Sequence, residues 1–418
     1  MRIIYSVLIT LALPFIVMRL WWRARCQPAY LKHIGERFGY YGASVSVGDS
    51  RPIIWLHAVS VGETRAAEPL VRVLLEKHPG HRILLTHMTP TGRETGKTLF
   101  AADTEQVQSC YLPYDYPGAV ARFLAHFKPT AGILMETEIW PNLVRACHAL
   151  AIPLYLVNAR LSEKSFAGYQ RLGALTTDTL RALSAIAAQS DDDAQRFKAL
   201  GATNVTVTGN VKFDVAPSAV QRMLGEHLRE SIGSRRVLLA ASTRDGEEIL
   251  ILNNKLHELT GTLLVIVPRH PQRFEAVAAL LEQHHIKYQR RSENEPVCDD
   301  TRVLLGDSMG EMAAYYAACD IAFIGGSLLP LGGQNLIEAC AAGKPVLIGP
   351  HTHNFAEATE RAITAGAAVR VMDGTDLQRK AVALLDNPKV TERMSAAALA
   401  FSNEHRGATA RLLELIRF

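Results

Sequence analysis

No C-x-x-C pair occurs in this chain, and its six cysteines (Cys26, Cys110, Cys147, Cys298, Cys319 and Cys340) are widely scattered. That spacing argues against a disulfide framework or a zinc ribbon and fits a reducing compartment. Glycine and proline form no repeat and no low-complexity tract, which excludes a collagen-like array. Charge of one sign is scarce too: 45 Lys and Arg stand against 41 Asp and Glu, a formal surplus of +4. A dedicated nucleic-acid binder carries a dense basic face, so no nucleic-acid partner is expected. The chain has no G-x-x-x-x-G-K-[ST] loop, which removes the P-loop nucleotidases. His351-x-His353 follows Pro350 and reads as a solvated loop, so no metal is expected.

What is present begins with one long apolar run. From Ile3 to Trp22 the chain is broken only by Ser6, Thr10, Pro14 and Arg19, just enough for a spanning helix of about 20 residues. Trp21-Trp22-Arg23-Ala24-Arg25 follows, an aromatic pair with basic flanks. This reads as an uncleaved anchor, spanning or interfacial, rather than a signal peptide. Arg19 near the end of the run and Arg23, Arg25 and Lys32 after it stand against Arg2 before it, which places the bulk of the chain in the cytoplasm.

Beyond the anchor, short β-branched runs alternate with helical patterns. Strands are expected at 53–59, 83–88, 132–135, 153–157, 185–189 and 205–208, then again at 237–241, 263–267, 303–305, 321–324, 346–348 and 368–371. Helices are expected between them, for example at 70–77, 119–127 and 142–150. Such alternation makes parallel sheets covered on both faces, and two series make two doubly wound, Rossmann-like α/β domains. The expected divisions are 1–25 for the anchor, 26–210 for the first domain and 211–418 for the second, with the join near 209–217. A short amphipathic helix over 407–418 is expected to pack back on one of them.

Ligands of open parallel sheets bind beyond the carboxyl ends of the strands. After 53–59 comes Ser60-Val61-Gly62-Glu63-Thr64, either a capping box or, if the helix starts nearer Pro69, a loop carrying a general base, Glu63. After 132–135 comes Glu136-Thr137-Glu138, followed by Ile139-Trp140-Pro141-Asn142. On extended chain two acids one residue apart point opposite ways, so only one faces the site. Arg160 and Lys164 sit on a polar loop after the next strand and suit an anionic acceptor. In the second half, Arg269 follows a strand and can fork onto a phosphate. Asp307 to Met312 opens a helix. Gly325-Gly326-Ser327 and Gly332-Gly333-Gln334-Asn335 place glycines where backbone amides can approach an anion, with Glu338 near enough to accept from a ribose hydroxyl. Each cluster alone is an ordinary turn.

With these motifs in place, the chain resembles the 3-deoxy-D-manno-octulosonic acid (Kdo) transferases, GT-B glycosyltransferases with an N-terminal membrane anchor helix. The matching stretches are HAVSVGE (57–63), METEIWPN (135–142), VNARLSEKS (157–165), TGNVKFD (208–214), VPRHPQRF (267–274), GDSMGEM (306–312) and GGQNLIEACAAGKPV (332–346). Ala241-Ser242-Thr243-Arg244 departs locally, since the family often has glycine and histidine at the first and fourth places. The resemblance implies inverting, metal-independent transfer of Kdo from CMP-Kdo to the lipid A precursor lipid IVA at the inner membrane. It implies that Glu63 is the general base and that Glu138 and Lys212 stabilise the transition state. It assigns CMP binding to Pro268, Arg269, Met309, Gly310, Glu311, Asn335, Leu336, Ile337 and Glu338. No cofactor is implied. Two rival readings stand beside it: a UDP-sugar glycolipid transferase of the same architecture, and a membrane-anchored nucleotide-binding protein without turnover.

Overall fold

The computed structural model describes residues 1–42, 51–214 and 219–417, so part of the expected join at 209–217 lies outside the described residues. The chain divides into two compact units. Unit 1 comprises Met1–Asp214 with Arg406–Phe418, and unit 2 comprises Val215–His405.

Unit 1 is built on seven parallel strands: β1 (Ile53–His57), β2 (Arg82–His87), β3 (Val107–Tyr111), β4 (Ala131–Met135), β5 (Leu154–Ala159), β6 (Ala185–Ala188) and β7 (Val205–Val207), in the order β3-β2-β1-β4-β5-β6-β7. Unit 2 repeats the plan with β8 (Arg236–Thr243), β9 (Thr262–Pro268), β10 (Tyr288–Arg290), β11 (Val303–Leu305), β12 (Ile321–Ile324), β13 (Val346–Ile348) and β14 (Ala368–Arg370), in the order β10-β11-β9-β8-β12-β13-β14. Central strands are apolar on both faces because helices cover both faces. Ile54, Trp55 and Leu56 in β1 are fully buried on alternate sides of the sheet. Gly132 in β4 makes room for the Trp55 indole: a Cβ there would meet Trp55 Cε3 at 2.8 Å and Leu154 Cδ1 at 2.5 Å.

Two strands were not expected, β3 and β10, and both are sheet edges. Their polar residues, Gln108 and Ser109 in β3 and Gln289 and Arg290 in β10, are only half-buried. An edge strand needs no continuous apolar run, so the pattern that betrays a central strand is missing.

In each sheet the two halves of the winding meet at one place, between β1 and β4 in unit 1 and between β8 and β12 in unit 2. That is where a doubly wound sheet opens a crevice at its carboxyl edge. The helix Ala408–Leu415 belongs to unit 1, where Leu412 and Ile416 enter the same core as Ile54 and Leu56. Asp214 holds it, accepting the N–H of Gly407 at 2.6 Å and of Thr409 at 2.5 Å.

Candidate active site

At the unit 1 crevice, β1 leads into a helix running from Val61 to Lys77. Ser60 caps it, its Oγ accepting the N–H of Glu63, and Pro69 lies inside. The alternative of a helix starting near Pro69 is therefore wrong. The lost N–H of Pro69 removes one intrahelical bond, which a capped helix with Ala66, Ala67, Leu70, Val71 and Leu74 buried on one face can carry. Glu63 reaches back, its Oε2 accepting Val59 N–H at 2.9 Å and its Oε1 accepting Ser60 Oγ–H at 3.0 Å.

The loop after β4 is a turn, not extended chain. Glu136 has φ +58°, and this left-handed residue cancels the alternation that would send the two acids apart. Both Glu136 and Glu138 then act electrostatically on Glu63. Burial, Glu136 and, more weakly, Glu138 raise the Glu63 carboxyl to about 7, against the opposing bonds from Val59 and Ser60. The Glu138 carboxyl is also raised, chiefly by burial, although the Trp140 indole N–H donates to its Oε2 at 2.7 Å and opposes the shift. Lys212 comes from the 3-10 turn Val211–Asp214, and its Nζ is 3.0 Å from Glu136 Oε1. Glu136, which the alternation argument left undecided, is thus the partner of Lys212. Its signal was chemical rather than periodic: a second acid beside Glu138 at a strand end.

Neutral imidazoles back this cluster. Burial holds His57 down to about 3 and His87 to about 4. His57 Nδ1 lies 2.9 Å from Thr86 Oγ1, and His87 Nδ1 lies 2.9 Å from the Ala58 carbonyl. Asn158, at φ +51°, accepts Val211 N–H on its Oδ1 at 3.2 Å and so fixes the turn that presents Lys212. Arg160 is tied by its carbonyl to Thr137 Oγ1 at 3.1 Å. Its guanidinium and the exposed Lys164 ammonium have no hydrogen-bond or ion-pair partner among the described residues.

In unit 2, the amides of the first glycine cluster are already occupied. The fully buried Glu247 accepts the N–H groups of Arg244 (2.9 Å), Gly326 (2.6 Å), Ser327 (3.0 Å) and Leu328 (3.0 Å). Gly325-Gly326-Ser327 is thus an anion cradle filled by the protein's own carboxylate, which corrects the expectation of a phosphate loop there. The other candidates lie on the loops and helix starts that follow β9, β11 and β12. Pro268 ends β9, and Arg269 donates its N–H to the Thr243 carbonyl at 2.9 Å. Gly310 has φ +81°, and Met309 beside it is exposed. Glu311 Oε2 takes Ser308 Oγ–H at 2.8 Å and lies 3.3 Å from Arg291 Nε. Just ahead of the helix Ile337–Ala341, Asn335 accepts Ile337 N–H on its Oδ1 at 3.0 Å, and its Nδ2 donates to Glu338 Oε1 at 2.9 Å. The side chains of Leu336 and Ile337 are buried in the core beside this pair. The buried Tyr316 phenol registers both ends of the group: burial and then Glu338 raise it, while Arg269 opposes them.

Gly306-Asp307-Ser308-Met309-Gly310 spells G-x-S-x-G after β11. Ser308 bonds to Glu311 and Tyr315, and no histidine is in hydrogen-bond reach of it among the described residues. A nucleophile elbow needs that base, so this serine is not one. No metal-ligating group of three or more His, Cys, Asp or Glu side chains occurs among the described residues.

Residues 32–215 match the family described as 3-deoxy-D-manno-octulosonic-acid transferase (kdotransferase), and residues 273–401 match glycosyl transferases group 1. The chain is 44% identical over 428 residues to the 3-deoxy-D-manno-octulosonic acid transferase of Bordetella pertussis, covering 99% of this chain and 98% of that protein. It is 37% identical over 430 residues to the enzyme of the same name from Haemophilus influenzae, covering 100% and 98%. Among solved structures, a UDP-GlcNAc 2-epimerase from Neisseria meningitidis aligns with TM-score 0.59 over 87% of this chain and 99% of that one, at 16% identity, a likeness of fold alone.

Proposed function

From the premise that this chain belongs to the 3-deoxy-D-manno-octulosonic acid transferase family, and so is a GT-B glycosyltransferase moving Kdo in lipopolysaccharide biosynthesis, we propose that its donor is CMP-Kdo. Its acceptor is the lipid A precursor lipid IVA, and it works at the cytoplasmic face of the inner membrane. The observation that carries the reading is the crevice of unit 1, where Glu63 sits beside Glu136, Glu138 and Lys212 with its carboxyl raised to about 7. A sugar hydroxyl is a poor nucleophile, and a base works best when its pKa lies near the working pH. Glu63 takes the hydroxyl proton as the new bond forms at the anomeric carbon of Kdo. The bond from that carbon to the phosphate oxygen breaks from the opposite face, and CMP leaves as a phosphate monoester.

Each neighbour has a part in this. Burial, and after it the negative charge of Glu136 and Glu138, makes Glu63 more basic than a solvated carboxylate. Glu138, fixed by the Trp140 indole, faces the positive charge that develops on the sugar, and Lys212, held by Glu136, keeps the cluster from excess negative charge. Arg160 and Lys164 meet the anionic acceptor. In unit 2, Arg269 takes the phosphate, the Met309-Gly310-Glu311 turn lines the nucleotide, and the Asn335–Glu338 pair meets the ribose. Pro268, Leu336 and Ile337 position them.

Mass spectrometry of the product from CMP-Kdo and lipid IVA tests the reading against a panel of UDP-sugars. A mass increase of one or more Kdo units from CMP-Kdo alone is expected. Transfer from a UDP-sugar instead, or nucleotide binding with no transfer from any donor, would overturn it.

A further inference from the structure

The helix Arg2–Cys26 is apolar over most of its length, its run from Ile3 to Trp22 broken only by Ser6, Thr10, Pro14 and Arg19. Its outer side is uncovered: Leu8, Phe15, Met18 and Trp22 are each more than half exposed. Its other side is docked on unit 1 near both ends. In the second turn, Tyr5 Oη donates to Asp115 Oδ2 at 3.0 Å and Ser6 Oγ donates to Asn142 Oδ1 at 2.8 Å. In the last two turns, Leu20 and Ala24 are buried. Asp115 is no loose partner. It also accepts the N–H groups of Asn142 and Leu143 at 2.9 and 2.8 Å, capping the helix Pro141–Ala149 from outside it.

These contacts conflict with a membrane crossing. A helix of 25 residues is about 37 Å long at roughly 1.5 Å per residue, and crossing puts its ends on opposite sides of about 30 Å of hydrocarbon. Here both ends are held by one unit. A crossing would have to break the Tyr5 and Ser6 bonds or draw the Asp115–Asn142 corner into lipid, where buried polar groups without water are costly. Charge points the same way. No acid precedes Glu36, while Arg2, Arg19, Arg23 and Arg25 lie on the helix. Arg2 and the exposed Arg145 line a groove of about 710 Å³ between it and the helices Pro117–Phe127 and Pro141–Ala149. Neither arginine has an ion-pair partner among the described residues.

Resting on the membrane reading above, we propose that this helix is an in-plane anchor. Its outer face lies in the hydrocarbon boundary of one leaflet, its inner face stays docked on unit 1, and its arginines meet anionic headgroups. The helix is long enough to cross but does not.

The test uses the full chain with a short epitope ahead of Met1, expressed in a Gram-negative host. With an in-plane helix, protease removes the epitope in inside-out inner-membrane vesicles and leaves it intact in spheroplasts. Removal in spheroplasts with protection in inside-out vesicles means a crossing and overturns this inference while leaving the membrane reading intact. Recovery of the whole chain in the soluble fraction overturns both. A second arm joins Ser6→Cys to Asn142→Cys and asks for an intramolecular disulfide in native membranes under mild oxidant. A mobility shift that reductant reverses supports docking at the bilayer, and no shift in membrane-bound, active protein counts against it.

Discussion

Glu63 holds the N–H of Val59 and the hydroxyl of Ser60 while its own proton stays bound up to neutrality. Capping and basicity thus reside in one side chain, and Glu63→Gln separates them because glutamine keeps the shape. We expect turnover to fall by about 10²- to 10⁴-fold with CMP affinity unchanged by calorimetry; turnover within a few-fold of the parent would return Glu63 to a structural role alone. The same substitution has a stability signature. The folded pKa of about 7 lies above the ordinary value of 4.5, so the native state binds the proton more tightly than the unfolded chain. That contribution is full below about 4.5 and is lost as pH rises through 7. Thermal melting from pH 5 to 8 is therefore expected to move in favour of Glu63→Gln relative to the parent, and a constant difference would contradict the raised pKa. The residue types of this cluster were legible in the sequence as acids and a lysine after strand patterns. Their meeting was not, because it depends on the left-handed backbone at Glu136 and Asn158, and neither residue type requires it.

Among elements, legibility followed burial. The strands at 303–305, 321–324 and 346–348 were readable to the residue because every position is apolar and buried. The edges β3 and β10 were not, since half-buried polar residues look like loop. The loop after β12 shows a different limit. Its glycines advertise an anion site, but the anion comes from Glu247, just after β8, and only the strand order brings the two together. Glu247→Ala leaves four buried or half-buried amides without an acceptor, and we expect unit 2 to lose about 3–5 kcal/mol. Glu247→Gln, which keeps one oxygen, should lose less. Denaturant unfolding followed by hydrogen exchange in peptides from unit 2 measures this, and a loss below about 1 kcal/mol for the alanine variant would mean that water replaces the carboxylate.

Over the whole molecule, the two units fold from different kinds of sequence. Unit 2 is one continuous stretch, whereas unit 1 is completed by Arg406–Phe418 from beyond it. Leu412, Leu413, Leu415 and Ile416 made an amphipathic helix readable, but its destination rests on Asp214 amide bonds that span 193 and 195 positions of sequence. Leu412 is fully buried, so Leu412→Ala is expected to cost about 2–5 kcal/mol. The loss should appear as faster hydrogen exchange in the β1 peptide of unit 1 and not in the β8 peptide of unit 2. The reverse pattern would mean that the helix serves unit 2.

That borrowed helix also sets a schedule during synthesis. The strands of unit 1 leave the ribosome first, yet their core stays short of Leu412 and Ile416 until all of unit 2 has been translated, roughly 10–40 s later at about 5–20 residues per second. Unit 2 can close as soon as it has emerged. The first-made half is therefore the last to be finished, and over that interval its open core is exposed to chaperones and proteases beside the long apolar helix Arg2–Cys26.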